Sequence, residues 1–432
     1  MKILTVDIGT GTQDIFLYDS DLDIENGFKL VLPSPTMMVH RRLKQSLPSR
    51  TPILLSGHQM GGGPSAWAIE EYARAGIPVY MTPTAATTIN DELEKVESLG
   101  IKIISEDEVH GLSSTVHRLE LKDFDFPLIS KTFTDYDVSL NDLAAIAVAV
   151  FDHGNAPAGV SDRQFRFDYL DERIRAKNSL SAFAYLSTDI PHIMTRLQSV
   201  VDSAGDLPYP LVVMDTAPAA VLGATFDSKL NSNFSPKINS KLNPKFGLNL
   251  NPSLPTRRSM IICNVGNFHT LAFRLGEKGI EGVFEHHTGE IDLPKLESLL
   301  RRLADASLKH EDVFNDMGHG ALMYTDEVFE FGKDEFDVVV TGPRRSIFSI
   351  TPASTSGFDT ADDHRLLNPP LSATENLRPY FATPFGDMMI AGCFGLLAAT
   401  AEIMPDLAEP ILGSLREAGG RGRGVAPWDN KS

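Results

Sequence analysis

Three aspartates close apolar runs in this chain. Asp7 ends "ILTVD", Asp152 follows Leu143–Phe151, and Asp215 ends "LVVMD". A carboxylate at such a position can hold a hard cation through water or take a proton from a hydroxyl. Asp215 has a second reading, as the N-cap of a following helix. After Asp7 come Gly9, Thr10, Gly11 and Thr12, a loop whose N–H and hydroxyl groups can cradle an anion. The glycines remove the Cβ that would block close approach. A second loop, "CNVGNFHT", offers Gly266, Asn267, His269 and Thr270, and Gly342 follows the run Val338–Val340 beside Arg344 and Arg345. Both loops also read as plain β-turns.

Two further stretches carry polar groups. "GHQMGGGPSAW" sets His58, Gly61, Gly62, Gly63 and Ser65 before a helix start. That is an anion site built on free N–H groups, or a glycine turn kept for packing. It does not end in the Gly-Lys-Ser/Thr of a Walker loop. "FDHGNAPAGVSDRQFRFDYL" offers Asp152 as a general base near His153, with Arg163 and Arg166 for a carboxylate or phosphate. Ion pairs within a loop account for the arginines equally well. His286, His287 and His319 invite a metal reading, but adjacent strand residues face opposite sides of a sheet. Structural or supporting roles are expected for them.

The elements that position these groups follow from hydrophobic patterning. Ile3–Val6 and Ile15–Tyr18 read as a β-hairpin, and Pro33–Pro52, rich in Pro, Arg and Ser, as a linker. The short apolar runs Ile53–Leu55, Ile77–Met81 and Ile101–Ile104 alternate with helices over Ser65–Ala75 and Asp91–Leu99, each stopped by a glycine. This is a parallel β-α-β unit spanning about residues 50–125. Leu143–Phe151 and Leu211–Met214 read as buried strands. Polar motifs at their carboxyl ends fall where open α/β sheets collect ligands. Residues 227–257 lack periodicity and read as a flexible insertion, and residues 417–432 as a disordered tail.

The chain has 432 residues and a formal net charge of −18, so more than one lobe is expected and no basic excess serves a nucleic acid or an anionic membrane. No signal-like or bilayer-length apolar run occurs, which points to a cytoplasmic location. The two cysteines, Cys263 and Cys393, form no Cys-x-x-Cys pair and sit in apolar runs as buried thiols.

The opening stretch repeats. Laying Asp7 over Asn264 puts Gly9 over Gly266 and Phe16 over Phe273, strand-turn-strand in both copies. Together with "MDTAPAAVLGA", "VVVTGPRRS" and "GDMMIAGCFGLLAA", the two loops stand in an order that resembles the actin, sugar-kinase and chaperone ATPase superfamily. The resemblance implies an α/β fold: a two-lobed actin-like ATPase of duplicated ribonuclease H-like lobes, with the small parallel β-α-β subdomain inserted. The lobes would be residues 1–226 and 258–416.

It further implies ATP and Mg²⁺ between the lobes. Asp7 would anchor the metal, and Asp7, Asp152 and Asp215 would be the catalytic carboxylates. Gly9–Thr12, Gly266, Asn267, Thr270 and Gly342 would take the phosphates and nucleoside. A small anionic substrate would be held by His58, Gly61–Gly63, Ser65, Arg163 and Arg166. Asn264 stands where that superfamily carries an aspartate, which leaves a non-catalytic nucleotide sensor or scaffold as the alternative. "GGGPSAW", "FDHGNAPAGVSDRQFRFDYL", "MDTAPAAVLGA" and "CNVGNFHTLAF" also resemble a prokaryotic family labelled a pyruvate formate-lyase activating enzyme. That label implies an activase with a cysteine-bound iron–sulfur cluster, and the required cysteine triplet is missing from this sequence.

Overall fold

A computed structural model describes residues 1–231, 259–329, 337–349, 377 and 379–417. Among the described residues the chain is mixed α/β with three sheets. It divides into two compact units, one holding 1–162, 183–219 and the residues from Gly392, the other holding 163–182 and 220–391.

The first unit carries two sheets. β1 (Lys2–Ile8), β2 (Thr12–Asp19) and β3 (Phe28–Pro33) form an antiparallel meander. A parallel sheet follows from β4 (Ile53–Gly57), β5 (Val79–Met81), β6 (Lys102–Ile103) and β7 (His117–Leu121), ordered β6-β5-β4-β7. β8 (Leu143–Val150), β9 (Ala184–Leu186) and β10 (Leu211–Asp215) complete the first sheet in the order β3-β2-β1-β8-β10-β9. β1, β8 and β10 run parallel, side by side. β1 and β8 are buried along nearly their whole length, as their unbroken apolar runs require.

The segment read as a linker is corrected by the structure. Pro35–Ser46 is a helix, capped by the Ser34 hydroxyl on Met37 N, with Pro35 at its first position. Serine and proline there are start signals rather than linker punctuation. Val39 and Leu43 lie on its buried face and join the core of the β4–β7 sheet with Ile53, Ile69, Tyr72 and Val79.

The second unit holds β11 (Ser259–Val265), β12 (His269–Gly276), β13 (Gly279–His287), β14 (Gly320–Met323), β15 (Val338–Thr341) and β16 (Tyr380–Phe381), ordered β14-β13-β12-β11-β15-β16. Its first three strands are again an antiparallel meander, with β15 parallel to β11 and β16 parallel to β15. The helix Leu293–Ala304, capped by Asp292, buries Leu296, Leu299, Leu300 and Leu303 in the core of this unit.

The units do not follow one cut near residue 226. Residues 163–182, which open on most of the helix Asp162–Ala176, cluster with the second unit, and the helix Ala391–Ile403 falls almost wholly in the first. Most of the insertion read at 227–257 lies outside the described residues, as does the tail from residue 418.

The two meanders share a turn. Gly9 N donates to Thr12 O at 2.9 Å, and Gly266 N donates to His269 O at 2.9 Å. A Cβ at Gly266 would stand 2.6 Å from His269 O, against 3.3 Å to Thr12 O at Gly9. Gly266→Ala should therefore cost about 1–3 kcal/mol of stability, and Gly9→Ala distinctly less, by denaturant unfolding.

Candidate functional site

The parallel order β1-β8-β10 brings three carboxylates to one sheet edge. Asp7 sits near the carboxyl end of β1, Asp152 two residues past β8, and Asp215 at the end of β10. All three are buried. Asp7 Oδ1 accepts from the Thr216 hydroxyl at 2.5 Å. Burial drives the Asp7 carboxyl up to about 7, the Thr216 bond lowers it, and the charge of Asp215 raises it. Asp152 accepts from Gly154 N at 2.8 Å and Leu197 N at 2.9 Å. Burial lifts it to about 6 against the pull of those amides and of Arg196. Asp215 Oδ1 accepts from Ala217 N at 3.2 Å, which is the capping contact for the helix Thr216–Ala224. Capping and membership of the carboxylate cluster therefore coexist.

Sequence reasoning missed Asp14. It pairs with Asp7 across the β1–β2 ladder, so both carboxylates share a face of the sheet. The signal was present in the hairpin register. Gly392 also belongs to this site, because a methyl group there would overlap Asp7 Oδ2. Asp7 is too short to move aside freely. Gly392→Ala should cost about 1–3 kcal/mol in thermal unfolding and displace Asp7.

The N–H of Gly9 is spent on closing the turn, so it cannot also face an anion. Ser34 donates to Thr10 O through its hydroxyl and to Gly11 O through its amide, which fixes the loop over the helix Pro35–Ser46. Thr10, Gly11 and Thr12 remain half-buried.

The glycine triplet departs further from expectation. Gly61 N donates to Asp123 Oδ1 at 3.1 Å, Ser65 Oγ donates to Gly61 O at 3.0 Å, and Ser65 N donates to Thr36 Oγ1 at 3.1 Å. Gly61 and Ser65 thus satisfy the protein's own acceptors rather than an anion. Gly61 is required because a Cβ would reach 2.6 Å from the Arg196 guanidinium. That guanidinium grips Asp123 with Nε at 2.7 Å and Nη2 at 3.2 Å, and donates from Nη1 to Phe151 O at 2.6 Å. Gly61, Arg196 and Asp152 are therefore one connected set. Gly62 and Gly63 stay half-buried at the start of the helix Pro64–Arg74, as does His58, whose amide donates to Leu121 O.

In the second unit the arginines are corrected. Arg166 is fully buried and holds Glu285 through Nε at 3.0 and 2.9 Å and through Nη2 at 2.8 Å. Arg163 donates to Phe314 O and Gly318 O and lies 4.4 Å over the Phe314 ring. Both bind groups of their own unit, which removes them from the substrate set. Thr270 is buried, its hydroxyl 3.0 Å from that of Thr288, so it faces the interior and not the loop surface. Gly266 O accepts from Thr288 Oγ1 at 2.9 Å, Asn267 is half-buried, and Gly342, at φ +98°, lies against Asn264.

His286 and His287 do face apart: His286 is buried near Asp316, at 3.5 Å, while His287 is half-buried. His287 nevertheless meets His319 and His269, with ring centroids 4.8 and 5.3 Å away. Burial and the neighbouring imidazoles hold His287 below its ordinary value. Glu285 opposes its burial cost with the charges of Arg166 and His319 and stays well below the usual carboxylate range.

Residues 60–347 match a protein family described as "Putative pyruvate format-lyase activating enzyme (DUF1786)". The chain belongs to this family. The matched span includes Asp152, Asp215, Gly266, Gly342 and the histidine group, and begins after the Asp7 loop. No curated protein matches the chain. Among solved structures it is similar to an exopolyphosphatase-like protein, at 9% identity over 73% of this chain, with a TM-score of 0.21. The match spans 61% of that protein's length. Among the described residues of this family member, no single helix is long and apolar enough to cross a membrane.

Proposed function

We propose that this family member is an actin-like ATPase of two ribonuclease H-like lobes that binds ATP with Mg²⁺ and moves the terminal phosphoryl group to water or to a small anionic molecule. The observation that carries the reading is the repeated strand order: a three-stranded meander flanked by parallel strands, twice, each opening on a glycine turn closed by the same 2.9 Å bond. The carboxylates at the end of β1, β8 and β10 support it, since all-oxygen donors suit a hard cation. Asp7, with Asp14 beside it, would hold Mg²⁺, which when bound supplies charge neutralisation of phosphoryl oxygens.

The chain's own part is positioning. Thr10, Gly11 and Thr12 would face the phosphates on the first unit. Asp152, lifted to about 6, is poised to accept the proton of an attacking hydroxyl. Asp215 would orient that hydroxyl. His58, Gly62 and Gly63 remain for the anionic acceptor.

A second reading keeps the fold and drops turnover. Asn264 favours it, because an amide brings no charge to the second loop. An activase with its own cysteine-bound cluster is not supported. The two cysteines lie in different units, both buried, and burial pushes both thiols up. The test is phosphate release from ATP and Mg²⁺ across a panel of small carboxylic and phosphorylated acceptors. Release that depends on Asp152 supports transfer, nucleotide-induced thermal stabilisation without release supports the sensor, and neither effect refutes the fold-based reading.

A further inference from the structure

His269 opens β12, His287 closes β13 opposite it, and His319 precedes β14, so one end of the second sheet gathers three imidazoles. Their ring centroids lie 4.8, 4.9 and 5.3 Å apart, at interplanar angles of 86°, 54° and 45°. No pair is stacked. Three imidazoles around one tetrahedral metal, each nitrogen about 2.1 Å from it, have centroids about 5 Å apart.

The hydrogen bonds set the tautomers. His287 Nδ1 lies 2.7 Å from Met317 O, a pure acceptor, so Nδ1 carries the proton and Nε2 a lone pair. His319 Nδ1 contacts the Glu285 carboxylate, which leaves Nε2 as the ring nitrogen turned toward His287. The two Nε2 atoms face each other at 3.2 Å. A proton held by one of them or a cation shared by both satisfies that contact, and the ring spacing favours the cation. Two nitrogens on a tetrahedral metal stand about 3.4 Å apart.

We infer that His269, His287 and His319 form a binding site for a divalent transition-metal ion of the zinc type, with Glu285 and Met317 O as the outer groups that orient its ligands. Histidine ligands characteristically give their second ring N–H to a carboxylate or carbonyl, as His319 and His287 do here. Glu285 is itself fixed by the buried Arg166, and its backbone carbonyl accepts from His319 N at 2.9 Å. The shell is thus built in depth. His319 is fully buried while His269 and His287 are half-buried. Imidazole nitrogens are a donor set that zinc accepts. The site is independent of the nucleotide reading and is tested without nucleotide.

The full-length, tag-free protein is stripped with a chelator and titrated with Co²⁺, following the visible absorption of tetrahedral cobalt, then competed with Zn²⁺. One ion per chain is expected, displaced by Zn²⁺. His287→Gln and His269→Gln, at half-buried positions, should each weaken binding by more than about 100-fold, and Glu285→Gln by about 10–100-fold. Circular dichroism confirms that each variant is folded. Absence of stoichiometric Co²⁺ binding, or wild-type binding by folded His287→Gln and His269→Gln, overturns the site. So does a ¹⁵N spectrum of His319 that shows both ring nitrogens protonated and unchanged by excess Zn²⁺, which would mean that a proton is the shared centre.

Discussion

Asp7→Asn should abolish nucleotide turnover, lowering kcat by about 10²–10³, while the folded protein becomes more stable at alkaline pH. The two effects have one cause. Burial raises the Asp7 carboxyl from 3.8 to about 7, so the folded chain holds a proton there that the unfolded chain has lost. The stabilisation tied to that proton is complete below the unfolded value and disappears as pH rises through about 7. Above that pH the wild type carries an uncompensated buried charge and the amide variant does not. Asp7→Asn should therefore flatten the stability profile between about pH 4 and 7 and exceed the wild type at pH 8 by about 1–3 kcal/mol. Asp152, raised to about 6, leaves a smaller slope of the same sign. Urea unfolding at several pH values, beside a phosphate-release assay, reads both effects. Asparagine keeps an acceptor for Thr216, so the local hydrogen bond survives.

Arg166→Met should destabilise the second unit by about 3–5 kcal/mol, because it takes the guanidinium partner from the buried Glu285. For a domain of this size that is a fall of about 10 °C or more in Tm. Glu285 is held below its ordinary value in the wild type, so its stabilisation is present above pH 4.5 and lost on acidification. Without Arg166 the burial cost of Glu285 is less well opposed and its carboxyl shifts upward. The difference between variant and wild type should then be largest at pH 8 and shrink toward pH 5. Arg166→Met/Glu285→Gln should recover much of the loss, since no buried charge remains. Calorimetric Tm values of the three proteins at two pH values decide it.

What the sequence made legible was local. The hairpin of Asp7 and its repeat at Asn264, the buried strands ending at Asp152 and Asp215, and the parallel unit around "GGGPS" all rest on periodicity and turn residues within a short window. Ser34-Pro35 was misread because a helix start and a linker use the same residue types. The arginines were misread for a different reason. Arg166 finds Glu285 119 positions away and Asp123 finds Arg196 73 positions away, so no spacing announces either pair. The histidine group is likewise drawn from three separate segments, and adjacency of His286 and His287 pointed away from it.

On the proposed function, Asp7 anchors a metal–nucleotide complex on a carboxylate edge. Calorimetric titration of ADP with Mg²⁺ at pH 7, in two buffers of different ionisation enthalpy, tests it most directly. One nucleotide per chain is expected, with proton release on binding as Asp7, raised by burial to about 7, becomes fully ionised, and loss of both binding and release in Asp7→Asn. Absence of binding to the wild type, or equal affinity and equal proton release in Asp7→Asn, would contradict it.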